Sequence, residues 1–166
     1  MINATEDRPE ILREVDIAII WGTEIPDGFE GIELMSVTQT PVASPALLGA
    51  GGLEEQLDLF DRHRILHEGN TDAWRDWCSV AGIPSFKPSK EWIFDDPALM
   101  IEACLRGHGI ALGTLPLIDG LISEGRLVAL SRNTLPAPRH YFLTRAVPPS
   151  GGRAASAAFR WLDRAT

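Results

Sequence analysis

The stretch WIFDDPALMIEACLRGHGIALGTLPL, Trp92 to Leu117, decides the fold, because a strand, a capped helix, a glycine stop and a second strand follow one another without interruption. Trp92 to Phe94 is apolar and aromatic, as a buried strand is, and Asp95 or Asp96 then offers a carboxylate to the orphan N–H groups of a first helical turn. Pro97 fits just inside that start. Leu99, Met100, Ala103 and Cys104 recur at the spacing of a buried helix face, and Glu102 stands four residues before Arg106, the favoured order for an exposed pair. Gly107 stops the helix. Ile110 to Leu112 then resumes a strand whose unbroken apolar character suits a parallel sheet covered on both faces. The whole unit is a crossover of a parallel α/β sheet, and its helix N-terminus is a place for a small ligand.

Working outward, Glu6 to Arg13 reads as a short helix leading into the strand VDIAIIW, Val15 to Trp21, which Gly22 ends. Thr23 to Gly31 reads as a loop and Ile32 to Val42 as one extended segment. Ser44 and Pro45 open a short helix before the flexible Gly49, Gly51 and Gly52, and Leu53 to Leu57 reads as another. Ile65 to His67 is a brief strand. Thr71 is the expected N-cap of a helix that runs through Ala81 to Gly82, with Trp74, Trp77 and Cys78 on its core side. Beyond the central unit, Pro116 to Ser123 reads as helix, Arg126 to Leu130 and Arg139 to Arg145 as strands, and the residues after Gly151-Gly152 as an amphipathic helix built on Ala155, Ala158, Phe159 and Leu162. Strands alternate with helices, so the class is α/β.

Composition excludes several functions. The chain has 166 residues, enough for a real core, and 45% of them are apolar. Fifteen Lys and Arg against 23 Asp and Glu give a net charge of -8, a poor basis for contact with nucleic acid. No apolar run approaches the roughly 18 residues that span a bilayer, and the N-terminus lacks a basic start followed by an apolar core, so no membrane association and a cytoplasmic location are expected. Cys78 and Cys104 are lone cysteines on apolar helical stretches and read as buried structural thiols.

Catalytic motifs are missing. Neither G-x-S-x-G nor G-x-x-x-x-G-K-[ST] occurs, and Gly107-His108-Gly109 follows a helix and opens a strand, the reverse of a dinucleotide turn. His63 and His67 are four apart, but Ile65-Leu66 between them reads as strand and no third ligand accompanies them, so no metal is expected. No cofactor is expected either. Asp95 and Asp96 read as a cap with a solvated neighbour in preference to an acid/base pair, and Trp74 and Trp77 as core in preference to a stacking platform. Trp21 differs. A large aromatic at the end of a buried strand, followed by Gly22 and a polar loop, stands where open α/β sheets take ligands.

Four segments in order carry a resemblance: VDIAIIWG at 15–22, LMSVTQTPVASPALL at 34–48, ILHEGNTDAWRDW at 65–77 and FDDPALMIEACLRGHGIALGTLPLI at 94–118. With GRLVAL, HYFLTR and the closing AFRWLDRA they resemble the effector-binding domain of LysR-type transcriptional regulators, in particular the glycine-cleavage-activator-like subgroup. That resemblance implies a two-lobed fold like type 2 periplasmic binding proteins, with residues 1–40 and 143–166 in lobe I and 41–142 in lobe II. Cross-over segments are implied near Met35 to Val42 and Arg139 to Arg145. It also implies a small-molecule cleft between the lobes, with ligand-binding positions at Trp21, Gly22, Asp95 and Asp96, and secondary ones at His67 and Glu68.

Family members begin with a winged helix-turn-helix and a linker helix, and the first strand, helix and second strand of their effector domain precede a segment like Glu6 to Gly22. Without these the first lobe is expected to be incomplete, the chain itself not to bind DNA, and the sheet of that lobe to keep an open edge that pairs with another chain as a homo-oligomer, a dimer. Because Asp95 and Asp96 already supply negative charge at a helix start, the implied effector is amino-acid-like, amine-bearing or neutral and polar, not a simple anion. The function implied is a non-catalytic sensor that passes a ligand-driven population shift to a DNA-binding region elsewhere. The alternative is a free-standing or remnant binding module that dimerises with full-length regulators; a small enzyme using Asp95, Asp96 and His67 has no motif behind it.

Overall fold

The computed structural model describes residues 9–48, 56–83, 86–149 and 151–163. The helix start at Glu6 and the glycines at 49, 51 and 52 lie outside them. The chain divides into two compact units: described residues up to Val37 and from Ala137 form one, and Thr38–Pro136 the other.

The first unit is built on a three-stranded antiparallel sheet of β1 (Ala18–Gly22), β2 (Phe29–Met35) and β9 (His140–Ala146), in the order β1-β9-β2. Ile20 and Leu143 are fully buried in it, and Phe159 of the helix α7 (Arg153–Asp163) packs beneath the Arg145 guanidinium, 4.5 Å from it. Arg145 also pairs with Glu30 of β2 at 2.6 Å. Gly31 sits so close to β9 that a Cβ there would collide with the Leu143 carbonyl. A short helix α1 (Pro9–Leu12) precedes β1 and buries Leu12.

The second unit holds six strands: β3 (Thr38–Ala43), β4 (Ile65–Glu68), β5 (Glu91–Phe94), β6 (Ile110–Leu115) and the two-residue β7 (Val128–Ala129) and β8 (Leu135–Pro136). The order is β5-β4-β6-β3-β7, with β8 also on β3. β4 runs parallel to both β5 and β6, whereas β3 is antiparallel to its neighbours. The chain moves from β4 outward to β5 through α4 (Asp72–Val80), then back across β4 to β6 through α5 (Pro97–Leu105). Reversing direction while keeping both crossovers right-handed requires the two helices to lie on opposite faces. The core shows this. Trp74, Trp77 and Cys78 of α4 pack with Ile65, Ile110 and Leu112, while Met100 and Cys104 of α5 pack with Leu66, Ala111 and Val42. Ile110 to Leu112 is therefore apolar without alternation because both faces are covered. Each tryptophan is core as the helical spacing implied, its indole N–H donating to a carbonyl: Trp74 to Leu66 at 3.0 Å and Trp77 to Asn133 at 3.1 Å.

Several local expectations are corrected. Ile32 to Val42 is not one extended segment but the end of β2 and most of β3, in separate sheets, and β2 begins at Phe29 inside the expected loop. Residues 56–62 form the helix α3 (Gln56–Arg62), so this helix ends later than Leu57. β5 is an edge strand, not a buried one: Trp92 is 43% and Ile93 58% exposed. Leu99, although at core spacing, is 61% exposed, because α5 turns only its Met100 and Cys104 side inward. Thr71 makes no side-chain cap; the Asn70 side-chain oxygen accepts from the Asp72 N–H at 2.8 Å instead, an Asx turn one residue earlier. The segments 116–123 and 126–130 are shortened to the helix α6 (Asp119–Ser123) and to β7. Among the described residues no helix is long and apolar enough to cross a membrane.

Candidate functional site

β4 and β5 are parallel neighbours in register, Glu68 opposite Phe94, and the Gly69 N–H donates to the Phe94 carbonyl at 2.9 Å. Their C-terminal ends are thus held side by side at one edge of the sheet, where α5 begins. Asp96 is extended (φ -113°, ψ 115°), a non-helical conformation that lets its side chain fold back over the helix start. Its Oδ1 accepts from the Ala98 N–H at 2.8 Å, and Pro97 occupies the first helical position, as the sequence predicts. At the other end of α5 the predicted Glu102–Arg106 pair forms at 2.8 Å and Gly107 adopts φ +76°, the left-handed stop.

This edge is acidic. Asp95 and Asp96 are exposed, and Glu68 stands close to Asp96. Partial burial, and then the charge of Asp96, push the Glu68 carboxyl above its ordinary range. Asp96 itself faces the N–H groups of α5, whose partial positive charge favours a carboxylate. The remaining field at this edge favours an N–H donor or a cation over an anion. Among the described residues no group of three or more His, Cys, Asp or Glu is placed to hold a metal ion.

The structure sets Glu68 close to Asp96, with Asp95 its neighbour in the chain, and separates His67 from them. Successive strand residues point to opposite faces: Leu66 packs under α5 and Ile65 under α4, so Glu68 belongs to the α5 face and His67 to the α4 face. His67 is 1% exposed, with Nε2 3.0 Å from Glu91 Oε1. Glu91 was not foreseen from sequence; it becomes visible as a partner only once β5 is known to pair with β4 in this register. Trp21 and Gly22 lie in the other unit, at the end of β1. Trp21 is half-buried and faces Tyr141 across the β1–β9 ladder, ring centroids 4.7 Å apart and tilted by 44°. Tyr141 is a second aromatic that the sequence alone did not single out.

The chain matches the LysR substrate binding domain over residues 4–166. It is 30% identical over 162 residues to the HTH-type transcriptional activator AmpR of Rhodobacter capsulatus, covering 97% of this chain and 54% of that protein. To the glycine cleavage system transcriptional activator of Escherichia coli K12 it is 27% identical over 143 residues, covering 86% of this chain and 46% of that protein. The chain therefore spans about half the length of the curated relatives it matches. The effector domain of AmpR from Pseudomonas aeruginosa superposes with a TM-score of 0.73 at 25% identity, over 90% of this chain and 71% of that one. The AmpR effector binding domain from Citrobacter freundii gives a TM-score of 0.77 at 23% identity, over 96% and 77% respectively. These neighbours carry the two-lobed α/β fold like that of type 2 periplasmic binding proteins, and the relatives named are transcriptional activators. On that match, and on the order of strands and helices around Asp96, the chain belongs to the LysR substrate-binding domain family.

Proposed function

We propose that the chain is the ligand-sensing part of a LysR-type transcriptional regulator, acting in the cytoplasm. A small metabolite binds between the two lobes, contacting Trp21 and Gly22 on one and Glu68, Asp95 and Asp96 on the other, and the resulting shift of population is read by a DNA-binding region outside these residues. The observation that carries the chemistry is the Asp96 cap beside Glu68 at the start of α5, where Asp96 already satisfies the Ala98 N–H that an anionic effector would otherwise take. The effector is accordingly amino-acid-like, amine-bearing or neutral and polar, with its N–H donors at Asp95, Asp96 and Glu68 and its body against Trp21.

The active form is a dimer. The resemblance points to the sheet of the first unit, whose outer strands are β1 and β2, as the edge that pairs; β5, the end strand of the other sheet, offers a second edge where Trp92 and Ile93 are exposed. An open, apolar strand edge is what a second copy covers. Thermal shifts across a panel of amino acids, amino sugars and dicarboxylates test the ligand claim. Saturable stabilisation by an amine-bearing member without turnover, lost in Asp96→Ala, supports it; tight binding of a simple dicarboxylate that ignores Asp96→Ala sinks it. Light scattering tests the dimer, which a strict monomer at tens of micromolar would contradict.

A further inference from the structure

On the α4 face of the second unit, away from the acidic edge, lies a cavity of about 660 Å³, within the range of small-molecule sites. Ile83 and Phe86 line it with apolar surface, Ser79 of α4 contributes a hydroxyl, and His67 and Glu91 supply ionisable groups. The pair is asymmetric. The His67 ring is 1% exposed, whereas the Glu91 side chain is 43% exposed. His67 Nδ1 is shut away from solvent with no hydrogen-bond partner among the described residues, while Nε2 holds Glu91 Oε1 at 3.0 Å. A ring so enclosed cannot swing, so it fixes the orientation of the carboxylate that it donates to.

The Nε2–H···Oε1 hydrogen bond engages one carboxylate oxygen of Glu91, and the side chain is otherwise open to the cavity and to solvent. Among the described residues Glu91 has no other partner, and Arg75 at the cavity wall is already bound to Asp72 at 2.6 Å. The cavity thus offers a pre-oriented carboxylate beside an apolar wall. We propose that it is a second ligand site, independent of the acidic edge at Asp96, for a small primary amine with an apolar body: the ammonium on Glu91 and the body against Phe86 and Ile83. His67 is a positioning residue there, acting through Glu91.

Benzylamine is the probe, with benzyl alcohol as its uncharged counterpart, followed by NMR of the full chain at low ionic strength. Benzylamine is expected to move the His67 ring and the Ser79 amide signals saturably and to bind about tenfold or more tighter than benzyl alcohol. Glu91→Gln, a change at an exposed side chain that keeps an acceptor for His67, is expected to reduce that preference to about threefold or less. Ser79→Trp, which fills the mouth of the cavity, is expected to abolish binding, with a native-like spectrum elsewhere showing that the fold persists. Asp96→Ala leaves benzylamine binding unchanged, so the outcome is separate from that of the effector site. Equal binding of the alcohol, binding that survives Ser79→Trp or Glu91→Gln undiminished, or no saturation at His67 overturns the proposal.

Discussion

Replacing Asp96 by Ala probes the start of α5 directly. In the wild type its Oδ1 accepts from the Ala98 N–H at 2.8 Å, and loss of such a cap costs about 1 kcal/mol. The carboxylate also lies against the positive end of the helix, a contribution of about 0.3–1 kcal/mol that partly overlaps with the cap. Against these stands the repulsion between Asp96 and Glu68, which the substitution relieves. The net expectation is a loss of roughly 1 kcal/mol, or a fall in Tm of about 2–4 °C for a chain of this size. Asp96→Asn keeps an acceptor in place and loses only the charge, so it costs a few tenths of that. Asp95→Ala, exposed and outside the cap, stays within about 0.5 kcal/mol of wild type. Urea denaturation at pH 7 resolves the three. Equal losses for Asp95→Ala and Asp96→Ala, or an Asn variant as unstable as the Ala variant, would refute this account of the helix start. The same series has an NMR readout: in Asp96→Asn the Glu68 pKa falls toward its ordinary range but stays above it, because burial, the larger cause, remains.

The charge on Glu68 works against folding at neutral pH. A carboxyl raised in the folded state contributes stability below its unfolded pKa and loses it as pH rises through the folded value. Glu68→Gln is therefore more stable than wild type at pH 7, and the gain fades in urea titrations as pH falls below the carboxylate range. Met100→Ala, at a side chain 2% exposed between α5 and β4, costs about 2–5 kcal/mol in the same assay, whereas Leu99→Ala one position away stays within about 0.5 kcal/mol. Burial pushes both the Cys78 and Cys104 thiols up to about 11, so neither reacts with a disulfide reagent at pH 8 in the native protein and both react once it is unfolded. Gly31→Ala meets the Leu143 carbonyl, a rigid neighbour, and lowers stability by about 1–3 kcal/mol where a loop Gly69→Ala carries only its backbone strain.

The helix from Asp96 to Gly107 was legible because its chemistry is local: a cap, a proline, a charge pair and a left-handed glycine lie within a few residues of what they serve. Both tryptophans of α4 were legible for the same reason, from spacing alone. What failed needed knowledge of the neighbour. An apolar Trp92-Ile93-Phe94 reads alike whether the strand is central or at the edge, and only the order β5-β4-β6 puts it outside. Leu99 keeps the helical period, yet α5 covers a sheet only on the side of Met100. His67 and Glu68 are adjacent letters, but the two-residue period of a strand sends them to opposite faces, and the partner of His67 comes from a strand whose register no local pattern announces. The break at Ser36-Val37 was likewise hidden, since two strands entering different sheets look like one extended run.

In the proposed sensor one amine-bearing metabolite contacts both Trp21 and the start of α5. An ¹H–¹⁵N titration of the chain with the best ligand of the thermal-shift panel tests it, following the Trp21 indole N–H and the Ala98 amide. Both signals are expected to move with one common dissociation constant, and both responses to vanish together in Asp96→Ala. Movement of the Ala98 amide with the Trp21 indole unchanged, or a Trp21 response that Asp96→Ala leaves intact, would contradict it.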